Sequence, residues 1–180
     1  MIPRKSISKA QSPHPSHPYR PTIIGAINGL ALGTGTAIAS CCDLLVAAEE
    51  AYFGITEINF SMVSGPCHIS RLLPETAARN YCMRGKRITV QELAAYGAIC
   101  KIVPQKDLLN AAMEIAAEIA GKAPLAMIEL KRAMNTNQGF RIMEKYALEM
   151  SYTQFLKNTE DFDESIAAFF EKRQPNFKRK

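Results

Sequence analysis

A glycine-containing segment at residues 31–35 is the first part of the sequence that could take part in chemistry. It reads Ala-Leu-Gly-Thr-Gly and precedes a helix-compatible stretch of small residues at 37–42. Backbone N–H groups at such a junction point outward and can hold an anion or a developing oxyanion. The segment lacks the third glycine of a dinucleotide fingerprint and the Lys-Ser/Thr of a phosphate-binding loop. Taken alone, it favours a closely packed turn over a binding site.

Glu57 is the second candidate, because apolar residues surround it in the segment Ile-Thr-Glu-Ile-Asn-Phe at 55–60. A carboxyl group held among apolar side chains loses hydration, and its pKa rises towards the pH at which a general base works. The alternative is an exposed glutamate on an alternating β-strand, which the residues by themselves slightly favour.

Cys67 and His68 form a third group, in the segment Ser-Gly-Pro-Cys-His at 64–68. We expect this segment to open a helix that includes residues 71–73. His68 could donate a proton from the start of that helix, although a packed histidine is the commoner explanation. Cys67 has no evident partner base, so a nucleophilic role is not expected.

The elements that must position these residues read as an α/β fold with a largely buried sheet. Short apolar runs predict strands at residues 22–27, 43–48, 51–54 and 100–103. The glycine segment follows the first of these strands, and Glu57 follows the third.

The rest of the chain is predicted to be mostly helical. Thr89 and Glu92 have the spacing of a capping box at the start of a short helix. Further helices are expected at residues 75–84, 108–120, 125–134, about 140–156, and around 166–170. The large apolar side chains of the last third suit core packing, with a subunit interface as the less common alternative.

Composition and charge exclude several classes of protein. At 180 residues with 47% hydrophobic and 22% charged residues, the chain suits one globular domain, and no apolar run reaches the length of a membrane-spanning helix. Residues 1–20 are rich in proline and basic, leaving a net charge of +1 for the remainder, without the basic face of a nucleic-acid binder. Five cysteines without a Cys-x-x-Cys pair predict free thiols in a reducing compartment and no metal site.

Taken together, several motifs resemble the crotonase (enoyl-CoA hydratase/isomerase) family. The resembling segments, in order, are residues 21–35, Cys42-Asp43, Phe53-Gly54 with Glu57, Arg71-Leu72, residues 85–88 with Ala94 and Gly97, and residues 170–177. The resemblance implies a crotonase-like spiral of ββα turns, of which this chain has the C-terminal part. The composition of residues 1–20 predicts a disordered tail, and the resemblance implies the spiral core at 21–120 and a helical oligomerisation region at 121–180.

The resemblance also implies chemistry on acyl-CoA thioesters, in which two backbone amides hold the thioester oxygen and carboxylates move protons. Thr34 falls on the second oxyanion-hole glycine of the family, and Glu57 falls on its acid/base glutamate. Ala37 replaces the other glutamate of the hydratases, which favours isomerase-type chemistry over hydration. Substrate binding is implied for four consecutive residues, Leu32, Gly33, Thr34 and Gly35.

One departure from the family concerns its first oxyanion donor, which lies in an alanine-glycine-aspartate loop that this sequence lacks. Losing one such donor costs about 2.7–4 kcal/mol of transition-state stabilisation. We therefore expect weak activity, or, as the alternative, an inactive subunit that acts as an assembly partner. The family further implies a homotrimer or hexamer that acts on acyl-CoA, with no cofactor, metal, nucleic acid or membrane involved. The expected location is the cytoplasm, or a mitochondrion or peroxisome in a eukaryote.

Overall fold

The computed structural model describes residues 21–137 and 142–178. In these residues the strands form two three-stranded sheets, and the first four strands alternate between the sheets. The first sheet has the order β1-β3-β6, with strands at Ile24–Ile27, Leu44–Ala48 and Lys101–Val103. The second sheet has the order β2-β4-β5, with strands at Leu30–Leu32, Tyr52–Gly54 and Ile88–Thr89.

Parallel pairing of β2 and β4 determines where the two candidate segments meet. Leu32 lies opposite Gly54 in this pair, so both strands end at the same edge. The glycine segment continues from one strand end, and Glu57 follows the other by three residues. Both pairs of the first sheet are also parallel, whereas β4 and β5 are antiparallel.

Helices make up most of the remaining structure. Four of them lie among the strands: α1 (Thr34–Ser40), α2 (Pro66–Ile69), α3 (Glu75–Met83) and α4 (Val90–Ala95). Four follow β6: α5 (Leu108–Ala120), α6 (Pro124–Asn137), α7 (Ile142–Leu156) and α8 (Glu160–Glu171). Within the described ranges, two 3-10 helices occur at Glu57–Phe60 and Gln105–Asp107.

The hydrophobic core is divided between the two faces of β3. Leu45 and Ala47 belong to the main cluster, which takes side chains from β2 to β5 and from α1 to α4. Val46 points the other way and packs with Leu108 of α5. Phe53 is completely buried in the main cluster, and full burial of such a side chain contributes about 1.5–3 kcal/mol.

The structure confirms the predicted α/β class and most of the expected elements. The capping box is present: the Thr89 hydroxyl accepts a hydrogen bond from the Glu92 amide at 3.1 Å, and the Glu92 carboxylate accepts one from the Thr89 amide at 2.8 Å. All five cysteines lie within the described residues and are free thiols.

Three local predictions were wrong. Ala31 and Leu32, predicted to belong to the glycine loop at 31–35, lie in β2, because they pair with β4. Residues 71–73 are not helical: α2 ends at Ile69, and Pro74 disfavours helical geometry in the residue before it. The strand interpretation of Glu57 also fails, since Glu57 begins a 3-10 helix.

A partly buried ion pair joins α6 to the residue that precedes β3. The Asp43 carboxylate accepts hydrogen bonds from the Ile23 amide at 2.7 Å and from the Lys131 ammonium of α6 at 2.6 Å. The same ammonium donates to the carbonyl of Pro21 at 2.7 Å.

The proposed division at residue 120 stays a prediction, and the predicted tail at 1–20 lies outside the described residues. None of the described helices is long and apolar enough to pass through a membrane.

Candidate active site

Gly33 forms a sharp turn between β2 and α1. Its φ of +53° lies in the left-handed region that favours glycine. The turn is held by two hydrogen bonds, from the Gly33 amide to the Gly54 carbonyl at 2.8 Å and from the Ala37 amide to the Gly33 carbonyl at 3.0 Å. The candidate loop is therefore a defined structure fixed to the end of β4.

Thr36 of α1 joins the ends of β2 and β4. Its side chain is fully buried, and its hydroxyl oxygen lies 2.5 Å from the Ala31 carbonyl and 3.0 Å from the Gly54 carbonyl. The same oxygen accepts a hydrogen bond from the Gly54 amide at 3.1 Å. This hydroxyl fixes the spacing between the glycine loop and the strand that leads to Glu57.

The Glu57 carboxyl group lies directly against the Gly33 turn. A Cβ atom added to Gly33 would be 3.3 Å from Cδ of Glu57 and would overlap Oε1. The other carboxyl oxygen, Oε2, is buried and has no hydrogen-bond partner within the described part of the chain. Burial raises the pKa of Glu57, and the backbone amides of Glu57 and Thr56 partly oppose that effect. A partly dehydrated carboxyl group with a free oxygen has the properties of a general base.

The other predicted loop residues have different environments. Thr34 is exposed and is the first residue of α1, so its N–H has no acceptor within that helix. Leu32 and Gly35 are half-buried on either side of the turn. The structure thus brings Gly33 and Glu57 into contact and leaves the neighbouring Thr34 accessible.

Cys67 and His68 lie in a buried cluster with Glu149 of α7, whose role the sequence analysis missed. The Glu149 carboxylate accepts hydrogen bonds from the amides of Gly65 at 3.0 Å and Cys67 at 2.6 Å. Cys67 Sγ lies 3.3 Å from His68 Nδ1, and the His68 ring packs edge-on against Tyr146. No signal in the sequence distinguishes Glu149 from the other glutamates of the C-terminal helices.

This cluster does not contain an activated nucleophile. Burial, together with the Glu149 carboxylate, raises the pKa of Cys67 to about 12, so the thiolate is scarce near neutral pH. Burial also lowers the pKa of His68, which is 8% exposed and matches the packed-histidine interpretation. The three potential metal-ligand atoms lie within 4.8 Å of one another, but both Glu149 oxygens already bind backbone amides.

A cavity of about 620 Å³ lies between the chain segment that follows Glu57 and α3. Ile55, Ile58 and Cys82 are among the residues that line it. Burial, with smaller contributions from the charges of Glu149 and Glu57, raises the pKa of Cys82 to about 11. The wall of the cavity is therefore within electrostatic range of the Glu57 carboxylate. Most of its lining is apolar, which suits an alkyl chain.

The alternation of the first four strands between two sheets agrees with the crotonase-like spiral that the resemblance implies. The family model described as enoyl-CoA hydratase/isomerase matches residues 18–180. The chain belongs to the enoyl-CoA hydratase/isomerase family.

Three relatives illustrate the range of named activities in the family. The chain is 33% identical over 163 residues to 2,3-dehydroadipyl-CoA hydratase of Escherichia coli, which covers 89% of this chain and 64% of that protein. It is 32% identical over 165 residues to carnitinyl-CoA dehydratase of Salmonella arizonae, covering 87% and 62% of the two proteins. The crystal structure of carnitinyl-CoA hydratase from Mycobacterium avium matches with a TM-score of 0.79 and 31% identity, over 87% of this chain and 62% of that one. The chain thus spans less than two thirds of the length of these relatives.

Proposed function

We propose that this chain catalyses proton transfer on acyl-CoA thioesters, and that it isomerises 3-enoyl-CoA to 2-enoyl-CoA. The observation that carries the proposal is the position of Glu57, whose carboxyl group lies against the Gly33 turn with one buried oxygen free. Family membership supports the class of substrate.

In the proposed reaction Glu57 moves a single proton. Its carboxylate removes a proton from C2 of the 3-enoyl thioester, and the C–H electron pair becomes part of a dienolate. The N–H of Thr34 donates a hydrogen bond to the thioester oxygen, where the negative charge develops. Glu57, whose carboxyl proton exchanges with solvent, then protonates C4, and the double bond moves to C2–C3. No water or second base is consumed, so one carboxyl group is sufficient.

Ala37 supports isomerisation over hydration. It lies one helical turn after Gly33, to which its amide is hydrogen-bonded at 3.0 Å. The resemblance to hydratases assigns their second glutamate to this position, and alanine cannot position or protonate a water molecule. Addition of water across the double bond would therefore have to depend on Glu57 alone.

The cavity beside α3 is proposed to take the acyl chain. Its volume of about 620 Å³ and its apolar lining suit a hydrocarbon chain more than a polar group. Glu57 follows Ile55 and precedes Ile58, and both isoleucines belong to the lining.

The test compares the two reactions in the same protein. Purified chain is mixed with 3-enoyl-CoA or with 2-enoyl-CoA, and the ultraviolet absorbance of the conjugated thioester is followed. We expect the absorbance to rise with 3-enoyl-CoA, through isomerisation, faster than it falls with 2-enoyl-CoA, through hydration. An Ala37→Glu variant should move the ratio towards hydration, whereas the exposed helix variant Ala133→Glu should not. Absence of turnover with both substrates in folded protein that binds CoA would overturn the enzyme proposal.

A second candidate function is that of an assembly partner without activity of its own. It is favoured by large apolar side chains on the C-terminal helices that are more than half exposed: Leu148, Tyr152, Phe155, Phe169 and Phe170. Such a group of exposed side chains is typical of a surface that contacts another protein. Size-exclusion chromatography with light scattering, with and without a full-length family member, tests this function, and Glu57→Gln should leave such assembly unchanged.

A further inference from the structure

The chain segment at residues 61–67, which follows the Glu57-bearing 3-10 helix, is attached to α7. Thr153 accepts a hydrogen bond from the Val63 amide at 3.1 Å, and its hydroxyl donates to the Val63 carbonyl. Further along the segment, Glu149 binds the amides of Gly65 and Cys67. We call Glu149 and Thr153, one helical turn apart on α7, the α7 clamp.

The side chains of the α7 clamp are almost completely buried. Glu149 is 9% exposed and Thr153 is 7% exposed. Hydrogen bonds from amides to a carboxylate are stronger than neutral ones, and the low local dielectric strengthens them further. Glu149 has one oxygen for each amide, so both hydrogen bonds depend on a group with two acceptors.

The clamped segment holds the backbone on both sides of Glu57. Gly65 has a φ of +87° and packs so closely on Ile55 that a Cβ there would lie 2.6 Å from Ile55 Cδ1. Ile55 precedes Glu57 by two residues. On the other side, the Met62 amide donates to the carbonyl of Glu57 itself at 3.1 Å. The position of the clamped segment is therefore coupled to the backbone position of Glu57.

We propose that Glu149 is a positioning residue for Glu57: by binding the amides of Gly65 and Cys67, it keeps the Glu57 carboxyl group partly dehydrated and in contact with the Gly33 turn. This inference rests on the proposed proton-transfer function of Glu57. Glu149 itself is 82 residues away in sequence from Cys67 and does not contact the Gly33 turn in any described hydrogen bond.

The test measures the pKa of Glu57 directly, by carbon NMR of protein labelled in its glutamate carboxyl groups, with the signal assigned from Glu57→Gln. Loosening the clamp hydrates Glu57, so its pKa should fall towards the ordinary glutamate value in Glu149→Gln. The exposed Glu118, paired with Lys122, provides the matched control Glu118→Gln, which should change nothing. The neighbouring thiol of Cys82 stays neutral over this titration because its pKa is about 11.

A second pair of variants separates positioning from the loss of a charge. Thr153→Val removes the hydroxyl without changing any charge, and Thr153→Ser keeps it. The pKa of Glu57 should fall in the valine variant and return in the serine variant. This pair also keeps the proposal testable if Glu149→Gln does not fold. Hydrogen exchange of the Gly65 and Cys67 amides in Glu149→Gln reports on the clamp itself.

Kinetics provide the remaining readout. A displacement near the reacting atoms of about 1 Å can reduce turnover roughly a hundredfold, so kcat should fall by about tenfold to a hundredfold while KM changes little. An unchanged pKa of Glu57 in folded Glu149→Gln and Thr153→Val would overturn the positioning role. If the pKa shifts as expected but the unmodified protein shows no turnover, the positioning role stands and the proposed function fails.

Discussion

Replacement of Gly33 by alanine tests whether contact between the glycine turn and the Glu57 carboxyl group matters. The added Cβ would overlap Glu57 Oε1, so the carboxyl group must retreat by about 1 Å to recover an ordinary contact distance. Because that oxygen is the end of a flexible side chain, the retreat itself costs little stability. Turnover, however, should fall roughly a hundredfold, since reacting groups displaced by about 1 Å lose that much.

The stability effect of Gly33→Ala comes mainly from the backbone. At a φ of +53°, an L side chain costs about 1–2 kcal/mol. For a chain of this size, that corresponds to a decrease in Tm of about 2–8 °C. Activity should therefore decrease far more than stability, and this difference is what the experiment measures.

Two glycine controls separate strain from contact with Glu57. Gly97 has a φ of +78° and no neighbour within 4 Å of an added Cβ, so Gly97→Ala carries the strain alone. Gly29 has an ordinary φ and equally open surroundings, so Gly29→Ala should be silent. Each variant is assayed for turnover of 3-enoyl-CoA and for thermal unfolding. If the Tm of Gly33→Ala decreases as much as that of Gly97→Ala while its turnover stays normal, then the contact between the Gly33 turn and Glu57 has no catalytic role.

Three other predictions concern pH, a buried hydroxyl and thiol reactivity. Burial raises the pKa of Glu57, and the base must be ionised to act. The apparent pKa on the acidic side of the pH profile of kcat/KM should therefore lie above the ordinary glutamate pKa of about 4.3. For the same reason Glu57 stays protonated up to a higher pH in the native state than in the unfolded state. Its contribution to the free energy of unfolding therefore decreases as pH rises through that range, and urea unfolding measured at several pH values should show a smaller decrease in Glu57→Gln. Replacement of Thr36 by valine leaves buried backbone groups unpaired and should cost about 1–3 kcal/mol in urea unfolding, whereas serine should restore most of it. Iodoacetamide in mildly alkaline buffer should alkylate the exposed Cys41 and Cys100 well before Cys67, whose pKa is about 12; equal labelling by peptide mass spectrometry would refute the cluster as described.

The sequence was sufficient for features that depend on local patterns. The α/β class, the helix at Leu108–Ala120 and the Thr89 capping box follow from periodicity and from residue preferences at helix ends. β2 was missed because Leu30–Leu32 is only three residues long and its neighbours are glycines; it is a strand because β4 pairs with it. Pairing between distant segments is a tertiary property that no window of sequence contains.

The candidate site shows the same division. Apolar neighbours of Glu57 left a raised pKa as one of two alternatives, and burial in the structure gives that direction. The contact of Glu57 with Gly33 depends on parallel pairing of β2 and β4. Glu149 could not have been found, because its partners are 82 and 84 residues away and are backbone amides. Backbone groups have no side-chain signature, so the sequence does not reveal which glutamate binds them.

The proposed reaction depends most directly on Glu57 as the group that moves the proton, and a deuterium experiment isolates that step. The protein is incubated with 3-enoyl-CoA in heavy water, and formation of the 2-enoyl product and of deuterated substrate is followed by mass spectrometry for the unmodified chain and for Glu57→Gln. General acid–base groups typically contribute about 10²–10⁴-fold, so we expect both signals to fall at least a hundredfold in the variant while its circular dichroism stays the same. Exchange and isomerisation at the unmodified rate in a folded Glu57→Gln protein would contradict the account.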